Sequence, residues 1–138
     1  MMLNFIIINS EIIETMISHV DRWLPEEACG ILAGRNETVK AVRLITNQAH
    51  SPVRFYMEPV ELLHALEWIE QQQYELIAIF HSHPNGPEFP SPTDIREFNY
   101  PGTAVIILSR TELNWKIKAF MIEENQYEEI KLISNENS

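Results

Sequence analysis

The feature that most restricts the fold is an apolar segment that runs directly into two histidines. Residues 76–80 (Leu-Ile-Ala-Ile-Phe) predict a buried strand, and His81 and His83 follow it at once. Histidines at positions i and i+2 of a strand project from the same face, so their imidazoles can converge on one point. Pro84 favours extended backbone at the residue before it, which continues this geometry to the end of the strand. The fold must therefore leave this strand end accessible to other chemical groups.

The loop after the histidines returns the chain towards the same point. Prolines stiffen residues 85–90, and folding them back would bring Asp94, in the first turn of the next predicted helix, to the strand end. Two imidazoles and one carboxylate suit tetrahedral zinc with one position left for water, which is the mark of a catalytic site. We therefore expect one zinc ion per chain, bound by His81, His83 and Asp94.

Each part of this pattern also has an ordinary explanation. Ser91-Pro92-Thr93-Asp94 fits a helix capping box with proline at the first helical position. The two histidines alone could be polar residues at a strand end. The combination is a much rarer coincidence than any of its parts, and we therefore prefer the metal site.

A zinc-activated water needs a general base, and the chain has no HExxH motif to supply one. Glu27 is the best candidate because it begins an apolar segment, where a carboxylate is costly unless it has a partner or a task. Glu26 and Glu88 compete with it on sequence alone.

The remaining polar and sulfur-containing residues receive simpler interpretations. Ser82 points to the face opposite the histidines and is expected to be packed rather than catalytic. Cys29 is expected to be a small core residue. We expect His19, His50 and His64 to be exposed or half-buried and away from the motif.

Hydrophobic periodicity divides the chain into elements in the order β-α-β-β-α-β-α-β-β-β, which predicts an α/β fold with a mixed central sheet and flanking helices. Helices are predicted over 11–23, from 59 to the glutamine run at 71–73, and over 92–99. Strands are predicted over 5–8, 26–34, 39–45, 76–80, 103–108, 114–122 and 127–133, with a possible short one at 55–57. At 138 residues we expect a single domain, 1–133, and a short polar, disordered tail, 134–138.

Composition restricts the partners. A net charge of −10 disfavours nucleic acid and anionic membranes, which both require Lys and Arg. One cysteine excludes an internal disulfide and an all-cysteine zinc site. The amino terminus lacks the basic region and the long apolar run of a signal peptide, and no segment approaches transmembrane length. We therefore expect a cytoplasmic protein.

Together these residues resemble a known family. Glu27 in P-E-E-A-C-G-I-L-A-G, followed by His81-Ser82-His83-Pro84, Ser91 and Asp94, is similar to the signature of the JAMM (MPN-plus, Mov34-type) metalloproteases. That signature is a Glu, then H-x-H, seven residues, S, two residues and D. The resemblance covers essentially the whole chain and implies a JAB1/MPN fold, related in architecture to the cytidine deaminases.

The resemblance also implies one role for each matched residue. His81, His83 and Asp94 would bind zinc, as the ligand geometry already suggested. Glu27 would act as general base and then acid, and Ser91 would donate a hydrogen bond to the tetrahedral oxyanion.

The family's substrates are peptide or isopeptide bonds after the C-terminal Gly-Gly of ubiquitin or ubiquitin-like proteins. In this chain the helix after Asp94 runs directly into Pro101-Gly102, which leaves no room for the second insertion of the eukaryotic relatives. The compact form is similar to prokaryotic stand-alone members, which are thought to process ubiquitin-like sulfur-carrier proteins. A protein of that kind is the expected partner.

Other interpretations stay open beside this one. A non-catalytic MPN scaffold would act as a binding module, although such scaffolds usually lack the ligands present here. The RadC branch has a stretch similar to His83-Pro84-Asn85-Gly86 with Ser for Asn, while the strand after Glu27 fits the Mov34 branch better. A phage-type or cell-wall peptidase has no partner domain in this chain to support it. A zinc deaminase would need P-C-x-x-C and is excluded.

Overall fold

The computed structural model describes residues 3–135, and its elements follow the predicted order. The helices are α1 (Ser10–Arg22), α2 (Pro59–Gln71) and α3 (Pro92–Glu97). The strands are β1 (Phe5–Asn9), β2 (Cys29–Arg35), β3 (Thr38–Ile45), β4 (Glu75–His83), β5 (Ala104–Arg110), β6 (Trp115–Glu123) and β7 (Gln126–Asn135).

The seven strands form one mixed sheet in the order β1-β3-β2-β4-β5-β6-β7. β1 pairs in parallel with β7, so the sheet closes into a barrel. β4 is the middle strand of this order, antiparallel to β2 and parallel to β5. His81 is consequently registered between Cys29 of β2 and Ile107 of β5.

Alternate residues of the inner strands contribute to two apolar clusters. One cluster packs against α1 and includes Phe80, and the other packs against α2 and includes Ile79. A strand covered on both faces reads as a continuous apolar run, which explains residues 76–80. Because side chains alternate along a strand, His81 shares the face of Ile79, on the side of α2.

Helix α1 begins at Ser10, one residue before the predicted start, and Asn9 caps it. The Asn9 side chain accepts a hydrogen bond from the backbone N–H of Ile12 at 2.8 Å, which caps the first turn. Ile12, Met16 and Val20 then form the buried stripe of the helix.

One residue of this helix departs from the prediction. His19 is buried, with 6% of its surface exposed, whereas we expected it to be exposed or half-buried. Its ring lies edge-on to Phe80, and its Nε2 is 3.0 Å from the carbonyl oxygen of Cys29. Burial, which disfavours the charged imidazole, lowers the pKa of His19. His50 and His64 are exposed, as predicted.

Several boundaries differ from the predicted ones. β4 continues through His83 because its polar end still pairs with β5. β2 begins only at Cys29, so Glu27 precedes the strand instead of opening it. Residues 55–57 form no strand; a single bridge joins Asn47 and Met57. α3 ends at Glu97, two residues early.

The carboxyl-terminal boundary needs a correction as well. Ser134 and Asn135, assigned to a disordered tail, belong to β7, where they are registered with Ile8 and Asn9 of β1. Backbone pairing, which does not depend on apolar side chains, extends the strand. The rest of the predicted tail, residues 136–138, lies outside the described residues. Within residues 3–135, none of the helices combines the length and the apolar character needed to cross a membrane.

Candidate metal centre and its surroundings

Three predicted metal ligands converge at the end of β4. One ligand atom from each of His81, His83 and Asp94 lies within 4.8 Å of the other two. Asp94 Oδ2 is 3.0 Å from His83 Nε2 and 3.6 Å from His81 Nε2. Ligand atoms about 2.0–2.1 Å from a tetrahedral zinc ion would be separated by about 3.3 Å. The two separations from Asp94 Oδ2 are close to that value, so the donor set and its spacing suit a metal ion of that kind.

A backbone contact orients His83. Its Nδ1 lies 2.7 Å from the carbonyl oxygen of Pro87, in the loop between β4 and α3. A carbonyl only accepts hydrogen bonds, so Nδ1 must carry the proton, and a neutral His83 presents the Nε2 lone pair to the site. The stiff loop thus selects the tautomer that binds metal.

The electrostatics of Asp94 and His83 favour a bound cation. Burial alone would raise the pKa of Asp94, but the hydrogen bond from His83 and the charge of His81 outweigh it and lower this pKa to about 2. Burial disfavours the charged form of His83, yet its hydrogen bonds to Asp94 and to the Pro87 carbonyl raise its pKa. Asp94 is therefore ionised at neutral pH, and a metal ion would compete with a proton on His83.

The capping box predicted at the start of α3 is present and is part of the same site. The backbone N–H of Ser91 donates to Asp94 Oδ2 at 2.9 Å, and the N–H of Asp94 donates to Ser91 Oγ at 3.0 Å. The two explanations considered for these residues are thus compatible, because the cap aims the carboxylate oxygen that faces the histidines. Ser91 accepts one hydrogen bond and keeps its hydroxyl proton for another.

His81 is enclosed on two sides. Phe55 stacks on its ring, with centroids 4.3 Å apart and an interplanar angle of 23°. At the edge of the ring, His81 Nδ1 lies 3.5 Å from Glu27 Oε1. Both of these atoms are buried, and among residues 3–135 neither has a hydrogen-bond partner. Buried polar atoms without partners are costly, so this spot suits a further polar group such as a water or a substrate atom. Sequence reasoning assigned Phe55 to a possible short strand and missed its contact with His81.

The three glutamates that compete for the role of base occupy different surroundings. Glu27 is buried beside His81. Glu26 pairs with the exposed His50 at 3.1 Å. Glu88 pairs with Lys116 and Lys118, at 3.1 and 2.7 Å, on the outside of the loop. Of the three, Glu27 is the one that the fold brings to the metal ligands.

Ser82, between the two histidines, is hydrogen-bonded to the backbone of Ala28, the residue immediately before β2. Its Oγ accepts a hydrogen bond from the N–H of Ala28 at 2.9 Å, and its own N–H donates to the Ala28 carbonyl at 3.0 Å. The residue is fully buried. The prediction that Ser82 is a packed residue is confirmed, and its contacts lock Ala28 next to Glu27.

Cys29 is a buried free thiol, as predicted. Burial and the neighbouring charge of Glu27 raise its pKa to about 12. A thiol so difficult to ionise is a core group and not a nucleophile.

An apolar cleft of about 580 Å³ adjoins the metal ligands. His81 and Asp94 line it, and Arg54 and Glu97 pair across it at 2.7 Å. Much of the remaining wall consists of apolar side chains from the loop before α2, from α2, from the residues after α3 and from the sheet, among them Met57, Leu62, Leu66, Ile79, Phe98 and Val105.

Two strand-borne histidines meet a helix-capping aspartate at one point of this mixed sheet, and a buried glutamate lies beside the first histidine, an arrangement that defines a metal-site protein of the JAMM class. Within that class the chain belongs to the family of prokaryotic homologs of the JAB domain, which it matches over residues 9–122. The JAB1/MPN fold expected from the sequence is thereby confirmed. The kinship with cytidine deaminases stays a prediction.

Individual relatives agree with this placement. A desampylase of Pyrococcus furiosus is 38% identical over 109 residues, covering 78% of this chain and 75% of its own. A probable TtuB-protein conjugate cleaving protease of Thermus thermophilus is 36% identical over 116 residues, covering 83% of this chain and 74% of its own. The solution structure of a Desulfitobacterium hafniense protein superimposes with a TM-score of 0.87 at 31% identity, covering 96% of this chain and 94% of that one.

Proposed function

We propose that this protein is a zinc-dependent peptidase and isopeptidase. Its substrate would be the bond after the C-terminal Gly-Gly of a ubiquitin-like protein of the sulfur-carrier type. The observation that carries the proposal is the convergence of His81, His83 and Asp94 with Glu27 beside them. The names of the Pyrococcus and Thermus relatives, a desampylase and a conjugate-cleaving protease, support it.

The donor set supports zinc as the metal, with one ion per chain. Two imidazole nitrogens and one carboxylate oxygen are the usual zinc donors, and three protein ligands leave one coordination position open. Zinc, when bound there, supplies Lewis acidity, which lowers the pKa of water and polarises a carbonyl oxygen. The chain's own residues supply the remaining functions.

Glu27 would move the proton. Its Oε1 is buried, lacks a hydrogen-bond partner among the described residues and faces the imidazole of His81. From this place the carboxylate would take a proton from the attacking water and deliver it to the leaving amine. Positioned general bases contribute about 10²–10⁴-fold to rate.

Ser91 would stabilise the developing negative charge on the substrate carbonyl. Its Oγ accepts one hydrogen bond, from the N–H of Asp94, and accepting that bond does not use its hydroxyl proton, which can be donated to the substrate. A single oxyanion donor of this type contributes about 10²–10³-fold to kcat. The apolar cleft beside the site would keep water away from the substrate. A cytoplasmic location stays a prediction from the sequence.

The decisive experiment compares Glu27→Gln with the matched control Glu26→Gln. The substrate is a linear fusion in which a sulfur-carrier protein ending in Gly-Gly precedes a fluorescent protein. We expect both variants to retain about one zinc per chain by elemental analysis, and only Glu27→Gln to lose cleavage, by about 10²–10⁴-fold.

Full activity in Glu27→Gln would remove this residue from the mechanism. Folded protein without zinc after growth in zinc-supplemented medium, together with no cleavage, would favour a non-catalytic scaffold instead. The inactive variant also serves as a trap for identifying which ubiquitin-like protein is the natural substrate.

A further inference from the structure

Asn47 is a buried side chain whose hydrogen bonds all go to backbone groups around the site. Its Nδ2 donates to the carbonyl oxygens of Glu27 and Arg54, both at 3.0 Å. Its Oδ1 accepts from the N–H groups of Ala49 and Tyr56, both at 2.9 Å. A carboxamide can donate two hydrogen bonds and accept two, so its capacity is fully used. Such complete use of a side chain 4% exposed indicates a structural junction.

The first segment at this junction is the backbone of Glu27. The carbonyl oxygen of Glu27 is bound by Asn47, and its N–H donates to the carbonyl oxygen of Ser51 at 2.8 Å. The following residue, Ala28, is held by Ser82 on β4. The backbone that carries the buried carboxylate is therefore fixed between the loop 46–58 and the strand of the histidines.

The second segment is the backbone on either side of Phe55. Asn47 binds the carbonyl oxygen of Arg54 and the N–H of Tyr56, the residues immediately before and after Phe55. The Phe55 ring is the one that stacks on His81. The side-chain amide of Asn47 thus holds the backbone of Glu27, whose carboxylate faces His81 Nδ1, and the backbone on both sides of Phe55, whose ring stacks on the His81 imidazole.

We propose that Asn47 is a positioning residue, which sets Glu27 and Phe55 around His81 in a single arrangement. The inference rests on the proposed role of Glu27 as general base. The side-chain hydrogen bonds of Asn47 go to backbone groups of Glu27, Ala49, Arg54 and Tyr56, and Asn47 is not among the described residues that line the cleft, so it would act through Glu27. Displacing a reacting group by about 1 Å can cost about 10²-fold in rate, which sets the scale of the effect.

The sharpest test is Asn47→Asp, which preserves shape and both acceptor positions but removes the two N–H donors that hold Glu27 and Arg54. The matched control is Asn114→Asp, which adds the same charge in the exposed turn before β6. With the Gly-Gly fusion as substrate, we expect Asn47→Asp to lower kcat about 10- to 100-fold with KM within about threefold. Zinc affinity, measured by competition with a chelator, should change by less than about threefold, since no ligand is touched. The control should match wild type.

Combining the change with Glu27→Gln separates this proposal from the proposed function. If Asn47 acts through Glu27, the double variant is no slower than Glu27→Gln alone. Full activity of Glu27→Gln would instead reject Glu27 as the base, whatever Asn47 does. Normal kcat in Asn47→Asp, or multiplication of the two losses in the double variant, would overturn the positioning role while leaving Glu27 in place.

Folding is controlled by a second variant. Asn47→Ala lets water approach the four backbone groups, and activity is measured well below each variant's own Tm. A folded Asn47→Ala with reduced kcat and normal zinc affinity supports the proposal. Loss of the folded state in both Asn47 variants would overturn it, because the residue would then be required for stability alone.

Discussion

The metal ligands and the buried glutamate are held in place by contacts of different range. His83 and Asp94 are oriented within residues 81–94, by the Pro87 carbonyl and by the capping box with Ser91. Glu27 is held by Asn47, 20 positions away, and through Ala28 by Ser82, 54 positions away from that residue. A short segment with prolines and a helix cap can set the geometry of the metal centre. The position of Glu27, the proposed base, depends on how the whole sheet assembles.

The largest effect is expected from a substitution at Asp94, within the segment 81–94 that forms the proposed metal site. Asp94→Asn keeps an oxygen that can accept from Ser91 and so preserves the start of α3, but it removes the charge that favours a cation. We expect zinc affinity to fall by more than about 100-fold and cleavage to fall to background. The measurements are chelator competition and elemental analysis.

Asp21→Asn is the matched control, since Asp21 and Asp94 are the chain's two aspartates and Asp21 binds Trp115 away from the site. Zinc bound normally to Asp94→Asn would contradict the assignment of this carboxylate as a ligand.

A smaller effect is expected from a substitution that removes one of the long-range contacts holding the Glu27 backbone in place. Ser82→Ala removes the acceptor of the buried Ala28 N–H, which costs about 1–3 kcal/mol of unfolding free energy. We expect kcat to fall about tenfold as Glu27 loses its support, with zinc affinity preserved. Chemical denaturation, steady-state kinetics and zinc competition would measure the three quantities.

Ser18→Ala, on the exposed side of α1, provides the comparison for this change. If Ser82→Ala lowered zinc affinity in parallel with kcat, the geometry of residues 81–94 would depend on the same contacts that position Glu27, contrary to this comparison.

The smallest effect concerns the outer attachment of the loop between β4 and α3. Lys118 pairs with Glu88 at 2.7 Å, but both side chains are partly or largely exposed, and such ion pairs contribute little in water. Lys118→Met should therefore leave kcat/KM and zinc affinity within about twofold, even at low salt. A tenfold loss of zinc affinity would show that residues 81–94 do not hold the metal site by themselves and depend on the ion pair between Lys118 and Glu88.

The same difference in range explains what could be predicted from the sequence. The meeting of His81, His83 and Asp94 and the capping box at Ser91 both depend on contacts within residues 81–94, and both were predicted. Glu27 could be separated from Glu26 and Glu88 only by the resemblance to a family, because its burial beside His81 arises from the pairing of β2 with β4.

The misses share a cause as well. Asn47 lies in a polar stretch that resembles any surface connection, and Phe55 was assigned to a possible short strand. Their contacts with Glu27 and His81 appear only when this loop packs against the site. His19 was expected nearer the surface, because helical spacing alone did not show that Phe80 and Cys29 would cover it. The predicted strands β4 and β7 ended too early, because polar residues at their carboxyl ends still pair through the backbone with the neighbouring strand.

The parallel pairing of β1 with β7 has a consequence for how the molecule is made. The ring of strands cannot close until the last strand has left the ribosome, so β1 waits with much of one edge unpaired during synthesis. Contacts between such distant segments slow folding, since a long loop must be ordered before they form. The strands beside the site, β2, β4 and β5, can pair before closure, and the nascent chain would therefore bring its histidines and Glu27 together while the barrel is still open.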